Sequence, residues 1–421
     1  MTSGDLEKFS NRHRFLEKEI GLYMNTREIF LRILNFEHAP RTLNWEFGYW
    51  GGTLRRWYSE GLPENAGIPD DRVYGDVIAG PGLQWPETSF DEGLFLDKDV
   101  AEYFQFDQGF TYLPVNQWLY PRFEQVVLEE TEDMMVFIGT DGIKRKIFKD
   151  QRSMPFFLDW PVKNEKDWDR LVDERLNLHN MKERFLSGFQ EAIERAKNRD
   201  YPLSILGDPC GFYGSIRYLL GEVQLYYMYY DNPRFLKRML SYLCDFWIQF
   251  AEELLTHTDF DFGYFFEDMA GKQGMLISPS LFNEFMAPHY RRIIGFLNAR
   301  GIHHVIVDSD GFVENLIPLL KAVGITGMLP FEIQANNDLS RIRKDHPRFQ
   351  ILGGFNKAIL RDGNRNIDRD LELELAKIQE MIEKGGYIPF GDHFIPPDVS
   401  WSNFKKYRDT LQKIIYSTQV L

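Results

Sequence analysis

The chain has 421 residues, of which 43% are hydrophobic and 27% charged, with a formal net charge of −14. The length allows one large barrel or two ordinary domains, and the composition is that of a globular protein with an ample core. The acidic excess argues against general binding to nucleic acid or an anionic membrane, and two cysteines, Cys210 and Cys244, exclude a disulfide framework or a multi-thiolate zinc site.

In chain order, residues 1–40 read as N-terminal helices on a polar, charged start, with no apolar core of a signal peptide and no later run long enough to span a bilayer. The expectation is a cytoplasmic protein. TLNWEF, near Thr42, reads as a first strand, and residues 50–100, rich in Gly, Pro and Asp, read as a long loop excursion. A second strand falls around Tyr103 to Val115. Residues 123–148 alternate apolar and polar residues about Gly139-Thr140-Asp141-Gly142, the pattern of an inserted β-hairpin giving local cover. Met181, Phe185, Phe189 and Ile193 mark a helix, broken at Tyr201-Pro202. Six strand-and-loop units then begin at Leu203, Phe262, His304, Ile325, Phe349 and Tyr387. Ser278-Pro279 opens the helix that runs to about Arg300, an N-cap followed by proline at the first helical position. The alternation predicts a single α/β domain over residues 1–421, a (β/α)8 TIM barrel with two of its strands upstream.

In such a barrel the polar residues that directly follow strands converge at one mouth. Here they are Trp45-Glu46, Asp208 and Tyr213, Glu267-Asp268, Asp308 and Asp310, Asn356, and Asp392-His393. Several carboxylates at one mouth cannot all stay ionised without a cation, a proton or buried donors. Asp308, Asp310 and His393 suit a divalent ion, Zn²⁺ or a harder one. The alternatives are that Asp308 and Asp310 cap a helix starting at Gly311-Phe312, that Glu267-Asp268 is a solvated pair or a helix-start charge, and that His393 is a structural histidine. GDPCGFYG lacks the ending of a phosphate loop, so Cys210 reads as lining. The four tyrosines from Tyr226 to Tyr230 read as a packing or interface face, and broad aromatic surfaces make a homodimer reasonable.

ISPSLFNEFMAPHYRRII, VIVDSDGFVENLIPLLKAVGITGMLP, ILGGFNKAIL and GGYIPFGDHFIPPDVSWSNFKKY together resemble the uroporphyrinogen decarboxylase superfamily, and REIFLRILNFEHAPRTLNWE is similar to its opening helix and first strand. The resemblance implies a (β/α)8 barrel and one of two activities, porphyrinogen decarboxylation or corrinoid-dependent methyl transfer. True decarboxylases carry an Arg-Gln-Ala-Gly-Arg type segment just after the first strand, where this chain has NWEFGYWGGTLRRW, and Glu46 there is electrostatically wrong for a polyanion. The family's zinc methyltransferases carry a His-x-Cys pair and a later Cys; Asp308, Asp310 and His393 match those positions with different identities. The corrinoid-carrier pattern Asp-x-His-x-x-Gly is absent, so a corrinoid would arrive on a separate protein.

The resulting expectation is a methyltransferase acting on a small methyl donor, such as a methoxylated aromatic, and passing the group to a corrinoid protein. Glu267 or Asp268 would supply the acid, with a divalent metal, zinc foremost, at Asp308, Asp310 and His393. Trp45, Glu46, Asp208, Tyr213 and Asn356 would contact substrate. A metal-free decarboxylase, with Asp308 or Glu267 protonating a carbanion and His393 orienting a carboxylate, is the alternative. A non-catalytic barrel that binds a tetrapyrrole or a partner is the third.

Overall fold

The computed structural model describes residues 24–68, 77–79, 95–148, 155–179 and 181–421. Its centre is a six-stranded parallel sheet in chain order: Ser204–Ile205, Phe262–Phe266, Val305–Asp308, Gly327–Leu329, Gln350–Leu352 and Tyr387–Ile388. Each strand matches an expected unit. Runs such as FGYFF and VIVD are apolar on consecutive residues rather than alternate ones, as strands covered on both faces must be. Val307 lies across from Phe265 on one side and Met328 on the other, and this register brings Phe266, Asp308 and Leu329 to one rim.

The sheet is open as a ladder, and its two edges are joined by isolated contacts. Thr111 bridges Leu203 in parallel at one edge. At the other, the Thr42 hydroxyl donates to the Tyr387 carbonyl at 2.8 Å, and the Asp107 amide donates to the Asn44 carbonyl at 3.1 Å between the two segments. The strand expected at Thr42 is therefore not formed as one, because side chains take its backbone groups. Asp107 accepts the Asn44 amide at 2.9 Å, Arg408 donates to the Trp45 carbonyl at 3.0 Å, and Glu46 accepts the Phe47 amide at 3.0 Å.

Three further expectations change. The helix Thr26–Asn35, closed by a capping box of Asn25 and Glu28, stands for the N-terminal helices, and residues 1–23 lie outside the described residues. The supposed loop excursion contains the helix Gly51–Glu60, the short strands Val77–Ala79 and Phe95–Leu96, and the helix Asp99–Tyr103; residues 69–76 and 80–94 lie outside the described residues. The expected hairpin is the middle of a four-stranded antiparallel sheet, Val126–Glu130, Met134–Ile138, Lys144–Phe148 and Phe156–Asp159. Its Gly139 to Gly142 turn is the one read from the sequence, and every residue of both edge strands is exposed.

Helices cover the central sheet. The stretch with apolar residues four apart splits into a short 3-10 turn, Met181–Arg184, and the helix Phe189–Ala196, because Gly188 enters the left-handed region at φ 82°. Ser278 caps as expected, accepting the Leu281 amide at 3.2 Å, but a π-turn at Phe282–Met286 interrupts the helix before it resumes at Ala287–Asn298. Among the described residues, no helix is long and apolar enough to cross a membrane.

The last helix, Trp401–Ser417, holds the N-terminal segment in place. Its Arg408, fully buried, donates to Glu46 at 3.2 Å and also to Asn44, and Glu46 is equally sealed. Removing one member of a buried pair leaves the other charge without compensation. Arg408→Met is expected to destabilise the protein by about 3–5 kcal/mol in urea titrations, and Glu46→Gln in the same background should recover part of that loss.

Candidate active site

The rim of the central sheet carries most of the polar residues picked out above, but it sorts them into two groups. Glu267 leaves the Phe262–Phe266 strand and turns away from the mouth into the start of the helix Tyr213–Leu220. Its carboxylate accepts the amides of Phe212, Tyr213 and Gly214 at 2.7, 2.7 and 2.9 Å and the Tyr290 hydroxyl as well. Gly211 and Gly214 make this approach feasible. A Cβ on Gly214 would sit 2.6 Å from the Phe266 carbonyl oxygen, and one on Gly211 would collide with the same atom. GDPCGFYG is thus an anion cradle whose anion is supplied by the protein itself. Burial lifts the Glu267 pKa, against the pull of Tyr290 and the three amides.

Asp268, Asp308 and Asp310 converge instead, each offering an oxygen within 4.8 Å of the others. Asp268 accepts Arg217 Nη2 at 3.1 Å and the Asp310 amide at 3.3 Å. Asp308, at the end of its strand, accepts the Tyr264 hydroxyl at 2.5 Å. Asp310 faces His393 Nε2 at 3.3 Å. Beside them Lys357 meets the buried Asp392 at 3.2 Å, and Glu332 accepts the Gly311 amide at 2.9 Å. Neither Asp308 nor Asp310 caps a helix, since the next one begins at Ile317 with no side-chain cap.

The electrostatics follow from crowding. Burial and the charges of Asp268 and Asp310 hold the Asp308 carboxyl well above the usual carboxylate range. Burial and the Asp310 charge also raise Asp268, with Arg217 opposing. Burial works against ionisation of Asp310, yet the facing His393 and its hydrogen bond bring that carboxyl below the ordinary value. His393 is raised in turn, because the attraction of Asp310 outweighs the cost of burial. Burial and Asp310 lift Glu332 too. The site therefore combines a mutually stabilising pair, His393 with Asp310, and a carboxyl whose ionisation is strongly opposed, Asp308.

The remaining sequence-derived residues lie elsewhere or act on structure. Trp45 is fully buried, its indole donating to the Gln108 carbonyl at 3.2 Å, and Glu46 is locked to Arg408 and to the Gly391 amide at 2.7 Å. Tyr213 points its hydroxyl at Glu222 and Tyr226, at 3.2 and 3.3 Å. Asn356 caps the turn Lys357–Leu360 and bonds Gln334 at 2.7 Å. Asp208 stays near the mouth, where its charge bears on Asp308, Tyr112 and Tyr264. Arg217, Tyr264, Lys357 and Glu332 were not foreseen. Arg217 lies one helical turn beyond the glycine loop and Tyr264 within an aromatic run, so neither directly follows a strand.

A model of the uroporphyrinogen decarboxylase (URO-D) family matches residues 133–414. No curated protein matches the chain.

The raised Asp308 pKa has a consequence for stability. Above about pH 4 the unfolded carboxyl loses its proton while the folded one retains it, so the native state binds more protons and stability falls as pH rises toward the folded pKa. In chelator-treated protein, Asp308→Asn removes this contribution. The wild type should lose stability relative to that variant as pH rises above about 4, read as the difference in urea midpoints; a constant difference would contradict the assignment.

Proposed function

The chain belongs to the uroporphyrinogen decarboxylase family, whose members are enzymes, decarboxylases or methyltransferases, and on that premise we propose that it is a methyltransferase. The family implies a TIM barrel, in which the segments around residues 42–46 and 107–112 would take the two strand positions missing from the ladder. The substrate in this reading is a small methylated compound with an oxygen leaving group, and the acceptor is a corrinoid on a separate protein.

The observation that carries the reading is that, among the described residues, Arg217, His393 and Lys357 at these strand ends each already lie against an acidic side chain: Asp268, Asp310 and Asp392. Of the two arginines on the segment where true decarboxylases keep theirs, Arg56 is held by Glu60, Asp362 and the Pro397 carbonyl at 2.6, 2.5 and 2.7 Å, while Arg55 has no such partner among the described residues. A mouth of paired charges is poorly matched to a substrate with many carboxylates, which needs unpaired cations. It is better matched to a small, weakly charged donor.

The acid in this reading is Asp268. Both candidates have raised pKa values and both have their oxygens hydrogen-bonded, but the Asp268 carboxyl is the one at the mouth and is partly open to solvent, whereas Glu267 is sealed under four donors. Asp268 would hold a proton at the oxygen facing the substrate and deliver it to the departing oxygen as the methyl group leaves. Arg217 fixes the other oxygen, and the Asp310–His393 pair orients the polar end of the substrate. Three carboxylate oxygens with an imidazole beside them fit an oxygen- and nitrogen-ligated divalent ion, with zinc first and manganese next, and do not fit a thiolate-rich zinc. Asp308 and Asp310 would hold such an ion, with His393 alongside; when bound it would polarise the leaving oxygen.

The decarboxylase alternative retains one favouring observation. Asp308, a carboxyl at a strand end with its pKa raised well above the usual range, is suited to protonating a carbanion.

Methylation of cob(I)alamin, followed in the visible spectrum with a panel of methyl donors including methoxylated aromatics, tests the assignment. Transfer is expected with at least one donor, and Asp268→Asn should lower its kcat by about 10²–10⁴-fold. Release of carbon dioxide from a porphyrinogen, with no methyl transfer from any donor, would replace methyl transfer by the decarboxylase reading. A stoichiometric divalent metal is expected after mild purification and should be lost in Asp310→Ala; clean apo protein with no affinity for Zn²⁺ or Mn²⁺ would remove the metal from the mechanism.

A further inference from the structure

Asp268 adopts φ 45°, in the left-handed region that residues with a Cβ rarely enter. It is not alone at this rim. Leu206, just after the Ser204–Ile205 strand, has φ 66°, and Phe331, two residues after Gly327–Leu329, has φ 60°. Bulky residues held in this region are strained, and strain persists only where the surroundings over-determine it, which is typical of functional sites.

For Asp268 the surroundings can be named. The Glu267 and Asp268 amides both point at the Asp308 carbonyl, at 2.9 and 3.4 Å. The helix Tyr213–Leu220 then grips both residues from opposite directions. The amides at its start hold the Glu267 carboxylate, as does Tyr290. From one turn further on, Arg217 donates to the Asp268 carbonyl at 3.3 Å and to its carboxylate at 3.1 Å. The guanidinium is itself placed by the rings of Tyr213 and Tyr218, 5.9 and 5.7 Å away.

We propose that the helix Tyr213–Leu220 is a positioning clamp, in which Glu267 is the anchor and Arg217 the hand that holds Asp268 in a strained conformation with its carboxyl facing the mouth. The inference rests on the reading of Asp268 as the acid. Glu267 and Arg217 touch no substrate in this account and act only through Asp268.

Two measurements test it. Urea unfolding of Asp268→Gly and Asp268→Ala reads the backbone alone. At an ordinary site alanine is the more stable of the two, whereas here the glycine variant is expected to unfold at higher urea. The reverse order would show that no strain is held and would overturn the clamp. Kinetics then separate positioning from structure. Arg217→Met should lower kcat by about 100-fold with little change in KM, Arg217→Lys should recover part of it, and Arg217→Met should have no further effect on the residual rate of Asp268→Gly. Unchanged kcat in Arg217→Met would reduce the clamp to a structural contact and refute its role. If the wild type transfers methyl from no donor, the functional reading fails, while the urea order still decides whether the strained clamp exists.

Discussion

A carboxylate sealed from water has to find its donors inside the protein, and Glu267 finds four: three amides and the Tyr290 hydroxyl. Much of the rim depends on meeting that requirement. It fixes where the helix Tyr213–Leu220 begins, it demands glycine at positions 211 and 214 so that the helix start can reach the strand end, and it commits Tyr290 of the neighbouring helix to the same point. One buried charge therefore sets the relation between two strand-end loops and two helices. The exposed chemistry one residue later inherits that geometry.

The second organising element is the pairing of opposite charges at the mouth. Three carboxylates this close would repel strongly in a medium of low polarity. The fold resolves the conflict in three ways at once, giving Arg217 to Asp268, His393 to Asp310 and, at Asp308, a pKa raised well above the usual carboxylate range. These solutions differ in kind, so the three acids differ in reactivity although they are the same residue type. A divalent ion and a proton would compete for Asp308, which couples metal affinity to pH without any additional group.

The central strands were legible in the sequence because they are short apolar runs punctuated by loops and separated by helical periodicity. The segment at Thr42 looked equally strand-like, yet its hydrogen bonds go to Asp107 and Arg408, residues far away in the chain that no local pattern connects to it. The meeting of Asp308 with Asp310, and of Asp310 with His393, could be anticipated from their places at strand ends, but the third carboxyl of the cluster is Asp268, which the sequence reading kept apart from it. The divergence of Glu267 from Asp268 could not be anticipated, because it depends on a single left-handed turn and on which neighbour lies within reach. The aromatic residues expected at the pocket, Trp45 and Tyr213, are fully buried; large rings beside strand ends here serve packing. Arg217 and Tyr264 escaped notice because their importance comes from the residues they contact, not from where they stand in the sequence.

The tie between the two ends of the described chain bears on the order in which the molecule can be completed. Glu46 receives its cation from Arg408, and Ala39 exchanges backbone hydrogen bonds with Val420 at 3.2 and 3.0 Å. During synthesis the N-terminal segment emerges long before either partner exists. Until the helix Trp401–Ser417 leaves the ribosome, Glu46 must stay hydrated or bound to something else, so that side of the mouth cannot take its final form before then. A stretch translated late is thus the one that allows a stretch 362 residues earlier to settle.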